Sequence, residues 1–292
     1  MFLKDVFEGK RGLDKVPSAK ETKGRHMRLS KKLSLKRDAV YPLSAALGLI
    51  VIWYLSVSLL SIPEYLIPGP FAVIEEVISK APFLLKHTLI TLYETLAGFF
   101  LALVFSVVAS VAVVWWRPVE KAVMPLMVFL QTVPKVSIAP LFIIWFGFGC
   151  FPKIIISFLL AYFPIVIEMI TGLRDIEPEV LDLSKSMSAT STQIFTKIRI
   201  PNSLPYFFTG LRLGALLALV GAIVAEFLGS GEGLGYLVIY ANDRLDTRFL
   251  FAVLLVMLLL GKLAYSIVEW VEQHAIAWHV SMREKEKIMF TT

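Results

Sequence analysis

The sequence predicts an all-α integral membrane protein with six membrane-spanning helices. Of its 292 residues, 57% are hydrophobic and 18% are charged, and the mean hydropathy is +0.73. A soluble globular chain has about 45–50% apolar and about 25% charged residues. Residues 39–63 and 95–116 are uncharged, and each run exceeds the ~20 residues with which a helix crosses a bilayer. These observations favour a bundle of apolar helices over a soluble core.

The distribution of charge divides the chain into three segments. Residues 1–37 hold twelve Lys or Arg against four acids, and we expect a basic tail there. Residues 38–280 form the predicted transmembrane domain, and residues 281–292 a polar C-terminal tail. Because basic segments stay on the inner side of a membrane, both tails are predicted to be cytoplasmic, with the first near anionic lipid. The spans that follow argue against nucleic acid as a partner.

Six spans are predicted from the uncharged runs and the proline positions. They lie at about residues 39–63, 87–116, 136–152, 154–173, 206–228 and 249–270. Residues 122–133 are predicted to form a short membrane-edge helix that is broken at Pro134. A second span there would place the polar segment after residue 174 outside, whereas one span places most basic residues inside. Whether residues 122–134 cross the membrane remains open at this point.

Charged residues within these spans predict which helices are covered by protein. Glu168, Arg212 and Lys262 fall in or beside spans four, five and six. A charge at membrane depth costs several kcal/mol and therefore tends to face protein or water. We expect spans three to six to form the bundle interior or an interface with a partner, and spans one and two to see more lipid. Small residues predict close packing of span five. Gly210, Gly214 and Ala218 are four residues apart, and Gly221 with Ala225 continues the pattern.

No catalytic or metal site is predicted. Cys150 lies in an apolar run and is expected to be a buried, inert thiol. The histidines have no Cys or acid at a spacing that would hold a metal or form a dyad. Residues 229–235, GSGEGLG, lack the Lys-Ser/Thr of a phosphate-binding loop and are expected to form a turn.

Five polar residues are candidates for lining a translocation path. They are Gln131, Glu168, Glu226, Tyr240 and Asn242. Glu168 could instead pair with Arg174 or reach lipid headgroups, since it lies near the inner end of its span. Glu226 could act as a gate or anchor a helix near the outer end.

The most informative segment is Asp175–Pro205, which we call the polar loop. Apolar residues recur in it at roughly helical spacing among Ser, Thr, Lys and Asp. Pro178, Pro201 and Pro205 punctuate it, so a short helical element bounded by prolines is predicted. A solvated connection between helices is the plainer interpretation.

The polar loop resembles the cytoplasmic EAA loop of bacterial ABC importer permeases, which carries Glu-Ala-Ala, Gly and Ile-x-Leu-Pro at fixed spacing. Asp182, Leu183 and Ser184 occupy the Glu-Ala-Ala positions, Ser188 the glycine position, and Ile198, Ile200 and Pro201 the Ile-x-Leu-Pro end. The acid is thus shortened, both alanines are replaced and the glycine is a serine. Three further stretches resemble the nitrate/sulfonate/taurine branch of this family. They are LIPGPFAV at 66–73, VPKVSIAPLFIIWFGFG at 133–149 and AEFLGSGEGLGYL at 225–237.

The resemblance implies a type I ABC importer permease fold with a cytoplasmic coupling helix. The chain would pair with a second copy of itself, and two cytoplasmic ATP-binding subunits would dock on residues 182–201. A periplasmic or lipid-anchored binding protein would deliver the solute. ATP and magnesium would be bound by the partner ATPase, so this chain would be neither an enzyme nor a cofactor-binding protein. The membrane would be the bacterial or archaeal cell (inner) membrane.

Eight residues are expected to couple the loop to the ATPase. They are Asp182, Ser184, Lys185, Ser188, Ala189, Ile194, Phe195 and Pro201. The small residues would allow close approach, and Asp182 at the head of the helix would satisfy free backbone N–H groups or pair with a basic residue. Ile194 and Phe195 would present an apolar knob, and Pro201 would end the element.

Two matters remain open from the sequence. Members of the resembled family carry nitrate, sulfonates, taurine, or heterocycles such as thiamine pyrimidine precursors and riboflavin. The alternative function is an ATPase-independent secondary transporter, which should show inverted repeats with broken midplane helices. No such repeat is evident in the sequence.

Overall fold

The computed structural model describes residues 41, 44–229 and 231–276, and the regular elements in this part of the chain are all helices. They are α1 (Ser44–Leu59), α2 (Pro70–Ser79), α3 (Ala81–Trp115), α4 (Arg117–Thr132), α5 (Lys135–Phe146), α6 (Cys150–Arg174), α7 (Pro178–Ser186), α8 (Ser191–Ile194), α9 (Ile200–Phe227), α10 (Leu234–Asp243) and α11 (Thr247–Ala275). A π-helical turn, Phe195–Arg199, joins α8 to α9. Both predicted tails lie outside the described residues.

Four helices of the described chain are long and apolar enough to cross a membrane. They are α3, α6, the continuous helix Ser191–Phe227 and α11. The bent pair formed by α4 and α5 brings the number to five if it counts as one span. The described residues therefore do not confirm the predicted count of six. Within the described residues, the predicted first span is represented by the shorter apolar helix α1, which belongs to a separate unit ending at Pro63.

The predicted break at Pro134 is confirmed, but the predicted third span is wrong as a straight helix. α4 and α5 are bent by 94° at this break, because proline lacks an N–H and disfavours the helical conformation of the residue before it. α5 ends at Phe146, and the chain turns through Gly147 and Gly149, whose φ angles are +76° and +156°. α6 then begins at Cys150.

The core of the second unit is the packing of α6 against α9, with α3 lying along α6. The predicted small-residue face of span five is confirmed as the contact surface on α9. A Cβ added at Gly214 would lie 2.8 Å from Ile165 Cδ1, and one added at Gly221 would lie 2.7 Å from Ser157 Cα. Ser157 Oγ also donates to the Ala218 carbonyl at 2.9 Å. Close backbone approach and interhelical hydrogen bonds are the usual means by which membrane helices pack.

One prediction of burial is wrong, because Cys150 is exposed at the start of α6. Half of the most apolar window is buried in α6 and in Ser191–Phe227, but only 22% in α11. Of the two surroundings expected for the last span, the bundle interior of its own chain is therefore not the one found. An apolar run in a membrane protein suits a surface that faces lipid or a partner as well as a buried one.

Candidate functional site

The polar loop carries two short helices, α7 and α8, that contain no buried residue. On α7 and just after it, Val180, Leu183 and Met187 are 38%, 63% and 76% exposed. Residues three and four apart on a helix share one face. The loop therefore presents an apolar stripe to its surroundings rather than to the rest of its own chain.

The turn between α7 and α8 depends on an unusual backbone conformation at Ser188. Its φ angle is +58°, which lies in the left-handed region that glycine adopts without a steric cost. Ser188 occupies the glycine position of the motif that the sequence resembles, so the structure gives a reason for glycine there. α8 then begins with a capping box in which Thr190 and Gln193 bond each other's backbone N–H groups.

Of the two roles predicted for Asp182, the structure shows the second. α7 begins at Pro178, so Asp182 does not cap its head, and the carboxylate forms an exposed ion pair with the basic residue Lys185 at 3.2 Å. The role predicted for Pro201 is wrong, because Pro201 does not end the element; it lies directly after the π-helical turn, at the second position of α9. The helix therefore runs unbroken from Ser191 to Phe227.

Phe195 is also misassigned as part of an exposed knob. It is 8% exposed and packs in a cluster with Met169 and Leu173 of α6. Its ring also meets that of Trp115 edge-on, with 4.9 Å between centroids. Ile194 is half-buried beside it. Phe195 therefore holds the loop against the bundle instead of presenting a surface to a partner.

The base of the polar loop is fixed by hydrogen bonds to the end of α6. Arg199 Nη1 donates to the Leu173 carbonyl at 3.0 Å. Asn202 Nδ2 donates to the carbonyls of Gly172 and Asp175 at 3.0 and 2.7 Å. These groups satisfy carbonyls that a helix end leaves without partners. No local pattern in the sequence predicts these bonds, since donor and acceptor lie 26 to 30 residues apart.

The remaining coupling candidates lie on the exposed part of the loop. Ser184 and Lys185 are on α7, and Ala189 lies in the turn after Ser188. Ser184 Oγ donates to the carbonyl of Val180 at 2.6 Å, so its hydroxyl is satisfied within the helix. Ser184 is therefore a small side chain beside the apolar stripe, with no hydrogen bond left to satisfy at its hydroxyl donor.

The five path candidates are distributed over four helices and are not gathered into one site. Gln131 on α4 and Asn242 on α10 are exposed, whereas Glu168 on α6 and Tyr240 on α10 are half-buried. Glu226 on α9 is buried. The predicted pairing of Glu168 with Arg174 is wrong, because the guanidinium of Arg174 pairs with another residue. That pair is Arg174 Nη2 with Glu120 Oε1 at 2.8 Å.

Glu226 belongs to a buried polar network at the far end of α9 from the polar loop. Its two carboxylate oxygens accept from Thr91 Oγ1 at 2.7 Å and from the backbone N–H of Gly235 at 2.6 Å. The adjacent carboxylate of Glu94 is ion-paired with Lys153 at 2.5 Å, and neither side chain is more than 9% exposed. A charge pair in this position connects α3 to the first turn of α6.

Comparison with known proteins places the chain in one family. Residues 94–276 match the model for the binding-protein-dependent transport system inner membrane component. A probable ABC transporter permease protein of Haemophilus influenzae is 36% identical over 246 residues, 84% of this chain and 100% of the relative. The formylaminopyrimidine transport permease protein of Halalkalibacterium halodurans is 34% identical, over 82% of this chain and 96% of the relative. The riboflavin transport system permease protein of Chloroflexus aurantiacus is 32% identical, over 80% and 88%.

The fold has a counterpart among solved structures. An inward-facing structure of the MetNI methionine ABC transporter is matched with a TM-score of 0.54 over 65% of this chain and 95% of the solved chain. The sequence identity is 17%, so the match concerns the fold alone. Together with the family match, it makes the bundle a type I importer fold. The chain belongs to the family of binding-protein-dependent transport system inner membrane components, and it is an ABC importer permease subunit.

Proposed function

We propose that this chain is the translocation subunit of an ATP-driven importer, and that the polar loop is the surface on which an ATP-binding subunit docks. The observation that carries the proposal is the exposed apolar stripe of Val180, Leu183 and Met187. Apolar side chains grouped on an otherwise polar surface are typical of a protein interface. The ATP-binding subunit supplies the ATP and magnesium chemistry, and this chain binds neither.

The way the loop is attached suits the transmission of movement. α7 and α8 contain no buried residue, but Phe195, Arg199 and Asn202 fix the loop's base to α6. Beyond that base, the loop continues without a break into α9. A displacement of the loop by a partner is therefore delivered to the two helices that form the core, as rigid-body movement requires.

The proposed topology follows from the proposed docking. The loop faces the cytoplasm, and its basic residues Lys185, Lys197 and Arg199, together with Arg174 directly before it, agree with that side. Both termini are cytoplasmic in this arrangement. The complete importer contains a second copy of this chain, two ATP-binding subunits and an external binding protein that delivers the solute.

For the solute, we propose a small heterocycle of the pyrimidine or flavin type. The relatives named for formylaminopyrimidine and riboflavin are 34% and 32% identical to this chain. Relatives named for aliphatic sulfonates and taurine are 29% and 24% identical. The test measures uptake of a labelled pyrimidine or flavin by intact cells, with unlabelled taurine as the competitor. Inhibition by taurine would distinguish the two classes of solute.

The docking proposal is tested by charging the stripe. In the double variant Leu183→Glu/Met187→Glu, two carboxylates would be forced into an apolar contact. We expect the ATP-hydrolysing subunit that co-purifies with the wild-type chain from solubilised native membranes to decrease about tenfold or more. ATPase activity of the purified fraction and the amount of the second protein are both measured.

The matched control is Ile78→Glu on α2, where the side chain is also 70% exposed. It introduces the same polarity change at the other end of the bundle and should leave co-purification unchanged. Equal losses in both variants would contradict docking at the loop. A chain that purifies alone and transports in ATP-free liposomes would instead support a secondary transporter.

A further inference from the structure

α10 begins with three successive backbone N–H groups that are bonded to side chains of other helices. The N–H of Gly233 donates to His87 Nδ1 at 2.9 Å, and that of Leu234 to Thr91 Oγ1 at 2.8 Å. The N–H of Gly235 donates to Glu226 Oε2 at 2.6 Å. We call these three side chains with their three donors the α10 anchor.

These donors need partners from elsewhere because the start of α10 cannot cap itself. A helix leaves its first N–H groups without intrahelical acceptors, and the N-cap residue Gly233 has no side chain. All three donors are on buried residues. A buried donor without an acceptor costs about 1–3 kcal/mol, so each of these bonds matters to the position of the helix.

The local packing leaves no room for a capping side chain at these positions. Gly233 has a φ angle of +105°, and a Cβ at Gly235 would lie 2.5 Å from the Ile223 carbonyl oxygen and 2.8 Å from Glu226 Cβ. Glycine is therefore required for close approach at Gly235 and for the backbone conformation at Gly233. The acceptors must then come from α3 and α9.

The hydrogen bonds of Glu226 account for both of its oxygens. Oε1 accepts from Thr91 Oγ1 and Oε2 accepts from the Gly235 N–H, and the side chain is 1% exposed. The Glu94 carboxylate beside it is ion-paired with Lys153. Glu226 thus faces protein on both sides, rather than a water-filled path.

We propose that Glu226 is a positioning residue, which with His87 and Thr91 holds the first turn of α10 in place by accepting backbone hydrogen bonds. The anchor connects the end of α9 to α3 through the backbone of α10, which also packs against α11. Glu226 therefore acts through α10 and not by contacting solute. The role depends on hydrogen bonding, so an amide in its place can fulfil it.

The test is amide hydrogen exchange of the full chain in lipid nanodiscs, read over peptides that cover residues 233–240. It observes this chain alone, so it is independent of whether an ATP-binding subunit docks on the polar loop. In Glu226→Ala, the Gly235 N–H loses its acceptor, and exchange in this peptide should become about tenfold faster or more. In Glu226→Gln, the amide oxygen still accepts, and the rate should stay within about threefold of wild type.

A second variant covers the case in which Glu226→Ala does not fold. Thr91→Val keeps the side-chain shape but removes the acceptor for Leu234, so exchange should again increase, while α6 peptides remain unchanged. The matched control is Glu232→Gln in the same turn. Glu232 is exposed, and Lys86 at 3.1 Å lowers the pKa of its carboxyl. Its replacement should leave exchange over 233–240 unchanged.

Two results would overturn the proposal. If Glu226→Gln exchanged as fast as Glu226→Ala, the charge of Glu226 and not its hydrogen bonding would be required. If neither Glu226→Ala nor Thr91→Val accelerated exchange over residues 233–240, the first turn of α10 would be held by its other contacts.

Discussion

The two ends of α9 carry polar segments with opposite physical characters. At its start, the polar loop has two helices without a buried residue, and its base is held by Phe195, Arg199 and Asn202. At its end, Glu226 is buried and fully bonded, and the glycine-rich turn is fixed by α3. One end can therefore receive a partner, whereas the other is already occupied by its own chain.

This difference has a consequence for how substitutions act. Removing a side chain from the buried end leaves charges or donors without partners inside the protein, where the cost is highest. Changing the exposed part of the loop alters contact with a partner but changes the free energy of unfolding only slightly. In the chain alone, substitutions at the buried end should therefore lower the free energy of unfolding more than substitutions on the exposed part of the loop. Substitutions at the base of the loop should act like those at the buried end.

The largest effect is expected at the buried ion pair. Lys153→Met leaves the carboxylate of Glu94 without its counter-charge, and breaking a buried pair in this way costs about 3–5 kcal/mol. The midpoint of thermal unfolding in detergent should decrease accordingly. The double variant Glu94→Met/Lys153→Met removes both charges and should recover most of the loss. No recovery would show that the pair has a role beyond its own charge balance.

The base of the loop should give the next effect. Phe195→Ala empties a site in the cluster with Met169 and Leu173 and should destabilise the chain by about 3 kcal/mol. The control is Leu183→Ala, whose side chain is 63% exposed and whose loss should change stability by no more than about 0.5 kcal/mol. Thermal unfolding of the two variants in detergent measures the difference. Similar midpoints would contradict the separation of base and exposed loop.

The smallest effect is expected at the turn between α7 and α8. Ser188→Gly relieves the left-handed backbone conformation and should stabilise the loop by about 1 kcal/mol or less. Limited proteolysis across residues 186–190 should become slower as a result. Ser188→Val should have the reverse effect, because a β-branched residue tolerates a positive φ poorly. Equal cleavage rates would mean that the turn is not strained.

Much of the fold was predictable from local features of the sequence. Pro134 broke a helix because of its own covalent structure, and the small residues on α9 marked the α6 contact through their spacing. The alignment of the polar loop with the EAA motif was also predictable from local features. Ser188 occupies the glycine position of that motif, and it adopts the left-handed backbone conformation that favours glycine. In each case the controlling residues lie within a few positions of one another.

The functional details that prediction missed depend on distant partners. Phe195 and Leu183 are both apolar residues of the same loop, yet one is buried and the other exposed. Helical periodicity indicates which residues share a face but not what covers that face. The pairing of Glu94 with Lys153 joins residues 59 positions apart, and no local pattern predicts it.

By itself, the sequence determined that this is a membrane-embedded helical protein, that a helix breaks at Pro134 and which loop carries the permease motif. These properties follow from composition, proline chemistry and spacing along the chain. Only the tertiary structure decided which groups bond to Glu226, that Phe195 faces inward and that α11 is largely uncovered within one chain. The physical reason is that apolar residues suit both lipid and protein, so burial in a membrane protein depends on which helices meet.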